Sequence, residues 1–239
     1  MSSLVLNKVS VRRSGRKVVN AVSWDIDGPC WAGVLGANGS GKTTLLTALA
    51  GRRAICDGTV AFAGVDYSRD DPARALAFGF APPADTLPEA LTVAELVDAV
   101  ASLNRADPSG FQPIAQALGI QKIRPKLISM LSSGFRQRVT IHLAFLNTPP
   151  VVILDEPLNW LDPVAAIDLR RAIKAYVACG GIVVTALHDL STFVRSCDCG
   201  IIMHEGDIIE SIVKSGMDTA RLDIDRFEDS IYMKLAGED

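Results

Sequence analysis

No apolar run in the 239 residues approaches the ~18 to 20 uncharged positions that a helix needs to cross a bilayer. The longest, such as Val151-Val152-Ile153-Leu154, stop within the length of a strand, so helical membrane spans are excluded. Met1 to Lys8 also lacks the basic start and apolar core of a secretory signal, and cytoplasmic residence is expected. Neither sign of charge dominates. The 24 Lys and Arg face 27 Asp and Glu for a formal net charge of −3, which offers no overall attraction to nucleic acid or anionic lipid. Cysteine is sparse and odd in number, with Cys30, Cys56, Cys179, Cys197 and Cys199 irregularly spaced. Such spacing argues against a disulfide framework and for buried, reduced thiols. Cys197-Asp198-Cys199 has no second pair and no nearby histidine to complete a metal site. What remains is ordinary globular composition, 49% hydrophobic and 21% charged, at a length that sustains a core without staples.

Three β-branched runs open the chain, Leu4 to Val11, Lys17 to Ile26 and Gly58 to Tyr67, and read as antiparallel strands. Between them Trp31 to Leu35 is an apolar strand that runs into a glycine-rich turn and a helix from Thr43 to Ala50, closed by Gly51. The middle third changes period. Thr92-Val93-Ala94-Glu95 has the spacing of a capping box, and helical patterning continues through Phe111 to Leu118 and Gln137 to Leu146. After Pro149-Pro150, alternation returns: a strand at Val151 to Leu154, a helix capped by Asp162 with Pro163 at its first position, and a strand at Ile182 to Ala186. Apolar strands joined by helices imply a parallel sheet covered on both faces. The expected organisation is one domain over 1–239: an α/β core with a β subdomain from 1–84 and 147–216, a helical insertion at 85–146, and a polar tail at 217–239. Gly200 to Met203 and Asp207 to Ile212 read as a closing hairpin, and the tail carries one apolar turn at Ile231 to Leu235.

Gly36-Ala37-Asn38-Gly39-Ser40-Gly41-Lys42-Thr43 fits the P-loop pattern at every fixed position and lies between an expected strand and helix. Glycines let the backbone wrap a triphosphate with its N–H groups inward, Lys42 reaches the β and γ phosphates, and the Thr43 hydroxyl can coordinate Mg²⁺. The nucleotide-contacting candidates are Gly36, Asn38, Gly39, Ser40, Gly41, Lys42, Thr43 and Thr44. Asp155 and Glu156 follow a buried strand, at the carboxyl end of the sheet where open α/β folds bind ligands. Asp155 is the expected Mg²⁺ partner and Glu156 the group that polarises the attacking water.

Leu131-Ser132-Ser133-Gly134-Phe135-Arg136-Gln137-Arg138, ahead of Asp155-Glu156-Pro157, resembles the signature loop of ATP-binding cassette (ABC) ATPases. Asn159-Trp160-Leu161-Asp162 looks like that family's D-loop and His188-Asp189 like its switch histidine, so the resemblance covers nearly the whole chain. It implies a P-loop NTPase (RecA-like) fold with the antiparallel β and helical subdomains described. It further implies Mg²⁺-dependent ATP hydrolysis between two subunits, homo- or heterodimeric, that sandwich ATP head to tail. Ser132 and Gly134 would serve the partner's γ phosphate, His188 the phosphate of its own subunit, and Asp162 would communicate across the interface. The implied partner is a separate transmembrane permease on the inner face of the membrane, with no nucleic acid. Arg136 and Arg138, without the resemblance, read as a solvated helix face, and Trp24 and Trp31 as core.

The chain departs from the family at three places. Ser133 and Phe135 stand where the signature usually has glycine and glutamine. Pro83, in Phe78-Gly79-Phe80-Ala81-Pro82-Pro83, takes the place of the Q-loop glutamine and offers no side-chain ligand. No aromatic ring stands near Ser14, where one would stack on adenine. The segment around Phe80 to Leu96 is expected to form the groove for a permease helix, its uncharged stretch Phe78 to Ala84 being compatible with a buried contact and a plain loop being the alternative. Phe227 to Tyr232 resembles the C-terminus of exporter subunits, which favours export over import. Competing readings are a soluble ABC ATPase of DNA repair or translation and a regulatory ATP-binding subunit with low turnover.

Overall fold

A computed structural model describes residues 3–104 and 106–236. Met1, Ser2 and the last three positions of the tail lie outside them. The long opening strands β1 (Ser3–Arg13) and β2 (Arg16–Asp27) pair antiparallel, and β1 also pairs antiparallel with β4 (Asp57–Phe62), which continues to the short β5 (Val65–Asp66). The single run expected from Gly58 to Tyr67 is broken because Ala63 and Gly64 both adopt positive φ and fold the chain into a hairpin. These strands form one sheet, in the order β2-β1-β4-β5.

The second sheet is built on β3 (Cys30–Leu35), β6 (Phe78–Phe80), β7 (Val151–Asp155), β8 (Ile182–Leu187), β9 (Cys199–His204) and β10 (Asp207–Ile212), in the order β10-β9-β3-β8-β7-β6. Its strands are parallel except β10, which returns as a hairpin on β9. Alternate residues divide between two cores, as the pleat requires. Val151, Ile153, Ile182 and Val184 join the β subdomain side, while Val152, Leu154 and Val183 join the helical side. Each such side chain, buried from water, contributes roughly 1.5–3 kcal/mol, which is why these strands read as unbroken apolar runs.

Helix α1 (Lys42–Leu49) follows β3, and α2 (Asp71–Ala77) precedes β6. Helices α3 (Val93–Asn104), α4 (Gln112–Ala117), α5 (Ile120–Ile123) and α6 (Ser133–Ala144) fill the stretch before β7. Thr92 and Glu95 form the capping box reciprocally, Glu95 accepting from the Thr92 N–H at 2.8 Å and Thr92 Oγ1 from the Glu95 N–H at 3.2 Å. Helix α7 (Pro163–Ala178) is capped by Asp162, whose side chain accepts from the Ala165 N–H, and α8 (Leu190–Ser196) by Asp189.

Several expectations need correction. The tail is not a polar stretch with one apolar turn. Helices α9 (Lys214–Leu222) and α10 (Ile224–Ala236) dock on the core through Met217, Ala220 and Ile231, and Arg221 donates to the backbone carbonyls of Val194 and Cys197. In Phe78 to Ala84, Phe78 and Ala81 are buried in the protein's own cores, Phe80 and Pro82 are half-buried and Pro83 is exposed, on the edge strand β6 and the segment after it. The thiols are not uniformly buried, since Cys56 and Cys179 are exposed. Trp24 and Trp31 are core residues, and the Trp31 indole N–H donates to Thr185 Oγ1 at 2.9 Å. Among the described residues no helix is long and apolar enough to cross a membrane.

Candidate functional site

The P-loop begins where β3 ends and is held from outside. The Gly206 N–H, in the turn between β9 and β10, donates to the Ser40 carbonyl at 3.0 Å, and the Asn20 N–H of β2 donates to the Gly206 carbonyl at 2.9 Å. Gly41 adopts φ +104, and a Cβ there would sit 2.8 Å from the Val18 carbonyl oxygen. The turn therefore demands glycine for both its left-handed backbone and its close approach to β2. Asn38 and Gly39 stand exposed at the tip, while Ser40, Lys42 and Thr44 are buried.

Lys42 reaches back over the loop, its ammonium donating to the carbonyls of Gly36 at 2.7 Å and Ala37 at 3.0 Å. Burial lowers its pKa, against the opposing pull of the Glu156 and Asp155 charges. Thr43 Oγ1 donates to Asp155 Oδ2 at 2.7 Å. Burial raises the Asp155 pKa although the Thr43 hydroxyl favours the ionised form. Its second oxygen, Oδ1, is buried without a hydrogen-bond partner, and so is Ser40 Oγ. A buried carboxylate oxygen left unmatched beside a threonine hydroxyl suits a hard divalent cation with oxygen ligands. No group of three His, Cys, Asp or Glu able to hold a metal occurs among the described residues. Thr43 and Asp155 thus fit Mg²⁺ as a partial shell to be completed by phosphate oxygens and water, the usual habit of this ion.

Glu156 follows directly in the left-handed region at φ +46, uncommon for a residue with a side chain and a mark of strain at functional turns. Its N–H donates to the Ala186 carbonyl at 3.2 Å, and its carboxylate accepts from the Asn159 side-chain amide. His188 Nδ1 lies 3.7 Å from Glu156 Oε1. Glu156, Asn159, Arg170, His188, Asp189 and Thr192 line a cleft of about 300 Å³. Three parallel strands, β3, β7 and β8, therefore bring Lys42, Thr43, Asp155, Glu156 and His188 to their common carboxyl edge. Asn159 and Arg170 are site residues that sequence reasoning did not single out. The D-loop resemblance already contained Asn159, whereas only the path of α7 places Arg170 there.

Ser132 and Gly134 lie on a different element. Ser132 is the N-cap of α6, its side chain accepting from the Phe135 N–H at 3.5 Å. A Cβ at Gly134 would fall 2.5 Å from the Trp160 carbonyl oxygen, so the signature turn rests on the 157–162 loop of its own chain. Asp162 caps α7 with one oxygen, and its other, Oδ2, receives Arg138 Nη2 at 2.7 Å. The Ala165 N–H foremost, with Arg138 in support, holds the exposed Asp162 carboxyl below the usual carboxylate range. Arg136 pairs with Glu89 at 2.8 Å. The two arginines expected on a solvated face are thus tethered, because Glu89 and Asp162 are brought to α6 from distant parts of the sequence.

At the places of departure, Pro83 precedes a single turn from Ala84 to Thr86, and its carbonyl accepts from both the N–H and the hydroxyl of Thr86. Ser14 lies at the exposed tip of the β1–β2 hairpin at φ +49, with exposed Arg12, Arg13 and Arg16 around it.

Residues 19–159 match the family model described as ABC transporter. The lantibiotic transport ATP-binding protein SrtF of Streptococcus pyogenes is 28% identical, over 81% of this chain and 83% of its own. The putative ABC transporter ATP-binding protein AlbC of Bacillus subtilis is 31% identical, over 92% of this chain and 95% of its own. Among solved structures, the ATP-binding subunit of an ABC transporter superposes with a TM-score of 0.83 at 24% identity, covering 98% of this chain and 99% of that one.

Proposed function

The chain belongs to the ABC transporter family and is an ATP-binding subunit of its ATPase class, and from that premise we propose how its residues perform the work. The carrying observation is the set of Lys42, Thr43, Asp155 and Glu156 at one sheet edge, with an Asp155 oxygen left buried and unmatched. Backbone N–H groups of 36–43 bind the triphosphate, and Lys42 exchanges its two loop carbonyls for phosphate oxygens. Thr43 and Asp155 hold Mg²⁺, which when bound neutralises charge on the phosphates. Glu156 orients water for in-line attack on the γ phosphorus. Asn159 and His188 fix the carboxylate's direction, and His188 donates to the γ phosphate from the same subunit. A second cassette contributes its Ser132 hydroxyl and Gly134 N–H, so that closure of the pair excludes water and completes the set of donors. Residues 1–84 and 147–216 act as the catalytic core and 85–146 as the lever that passes closure to a membrane permease.

The cargo belongs to that permease. Transport outward is the reading taken from the resemblance of Phe227 to Tyr232 to the C-terminus of exporter subunits; counting ATP-dependent uptake in inside-out against right-side-out vesicles decides the direction. The reading is tested with Lys42→Ala and Glu156→Gln. The first should lose nucleotide binding, while the second should bind MgATP as tightly as the parent and hydrolyse it at least a hundredfold more slowly. Hydrolysis by Glu156→Gln at the parental rate would assign the attacking water to another residue.

A further inference from the structure

Between the signature turn and Glu156 runs an unbroken chain of contacts within one subunit. We propose that Arg138 is a positioning residue that ties the two together, so that whatever seats on Ser132 and Gly134 is felt at the subunit's own catalytic glutamate. The inference rests on the sandwich reading above and adds to it the regulation of that same site.

Arg138 Nη2 reaches Asp162 Oδ2 at 2.7 Å, the arginine side chain being 17% exposed and the carboxylate 55%, so the pair acts through its geometry more than through charge withdrawn from water. The guanidinium lies 5.0 Å from the centre of the Phe135 ring, and Lys126 Nζ lies 5.8 Å from the same ring. A cation over an aromatic face is held in direction as well as attracted. Phe135, which stands where the family's signature usually has glutamine, thereby aims Arg138 at Asp162. Asp162 in turn is fixed by capping α7, and Gly134 bears on the Trp160 carbonyl from the other side. The loop so gripped carries two residues with positive φ, Glu156 at +46 and Trp160 at +65. Strained backbone of this kind keeps its geometry only while flanking contacts impose it. Asn159, inside the loop, donates to the Glu156 carboxylate. A shift of the N-terminal turn of α6 therefore moves Asp162, the loop and Asn159 together. An ordinary helix-anchoring ion pair would support stability alike in every nucleotide state; this one spans two segments that serve different nucleotides.

The experiment compares MgATP hydrolysis, fluorescent-nucleotide affinity and thermal melting for the parent, Arg138→Ala, Arg138→Lys, Asp162→Asn and the Arg138→Ala, Asp162→Asn double variant. Arg138→Ala and Asp162→Asn should each lower kcat at least tenfold, with KM and nucleotide Kd within twofold of the parent, because the P-loop is untouched. The double variant should be no slower than the slower single one. Arg138→Lys should recover part of kcat, keeping the charge without the fork. Should Arg138→Ala melt far below the parent, the isosteric Asp162→Asn, which keeps the cap acceptor, carries the comparison. An Arg138→Ala kcat within twofold of a turning-over parent, or multiplicative losses in the double variant, sinks the coupling and leaves the sandwich reading standing. A parent that binds and hydrolyses no MgATP removes both.

Discussion

Mild acid is expected to loosen the helix that carries the signature turn. His142 lies on α6, is 1% exposed, and stands against the turn at Gly110. Burial, with a smaller contribution from the Arg124 charge, lowers its pKa from 6.5 to about 4. The native protein thus holds a neutral imidazole where the unfolded chain takes up a proton. Between pH 6.5 and pH 4 the unfolded state binds more protons, so stability is fully present above that window and declines as pH falls through it. Linkage across this difference amounts to about 2 kcal/mol lost between pH 7.5 and pH 5, and about 3 kcal/mol by pH 4. Against a typical total of ~5–15 kcal/mol this is a large share. Urea unfolding followed by circular dichroism at pH 7.5 and pH 5, on the parent and His142→Leu, isolates the effect because all other titrations are shared. The parent should lose about 2 kcal/mol more than the variant. Equal losses in the two proteins would refute the assignment.

Replacing the signature glycine, Gly134→Ala, forces a Cβ against the Trp160 carbonyl; melting should fall by the equivalent of ~1–3 kcal/mol, and ATP turnover should fall further than the melt alone explains. Asp155→Asn removes a buried carboxylate whose charged form is already disfavoured, so unfolding stability should hold or rise, while nucleotide titrations should show affinity weakened at least tenfold with Mg²⁺ and unchanged without it. With no ring at Ser14, kcat/KM for ATP and GTP should agree within about tenfold; a hundredfold preference for ATP would mean that another group, such as Arg12, Arg13 or Arg16, reads the base.

Much of this was legible in the chain because local chemistry dictated it. The P-loop needs glycine at fixed places and a strand before it; Asp162-Pro163 can hardly do other than open a helix; and Val151 to Leu154 is too apolar to lie anywhere but in a buried parallel strand. What stayed hidden depends on distant residues meeting. The ion pairs of Arg136 with Glu89 and of Arg138 with Asp162 join positions that periodicity treats as independent, so a tethered pair looked like a solvated face. The tail read as polar because charged residues are interleaved with its apolar ones, and only the packing of α9 and α10 shows that Met217, Ala220 and Ile231, with Ile224 and Phe227 beside them, reach the core. Arg170 lines the cleft beside Glu156 and His188 only because of the path of α7, which no motif encodes. In the uncharged Phe78 to Ala84 stretch composition could not tell which apolar side chains are spent on the protein's own cores, as Phe78 and Ala81 are, from those left part-exposed, as Phe80 and Pro82 are.

MgATP is expected to join two copies through Lys42 of one and Ser132 of the other. Sedimentation velocity of Glu156→Gln at saturating MgATP tests it most directly. A dimer that forms with MgATP, dissociates on removal of nucleotide, and is lost in Glu156→Gln combined with Ser132→Arg is the predicted result; a protomer mass at every nucleotide concentration, or a dimer indifferent to Ser132→Arg, would contradict it.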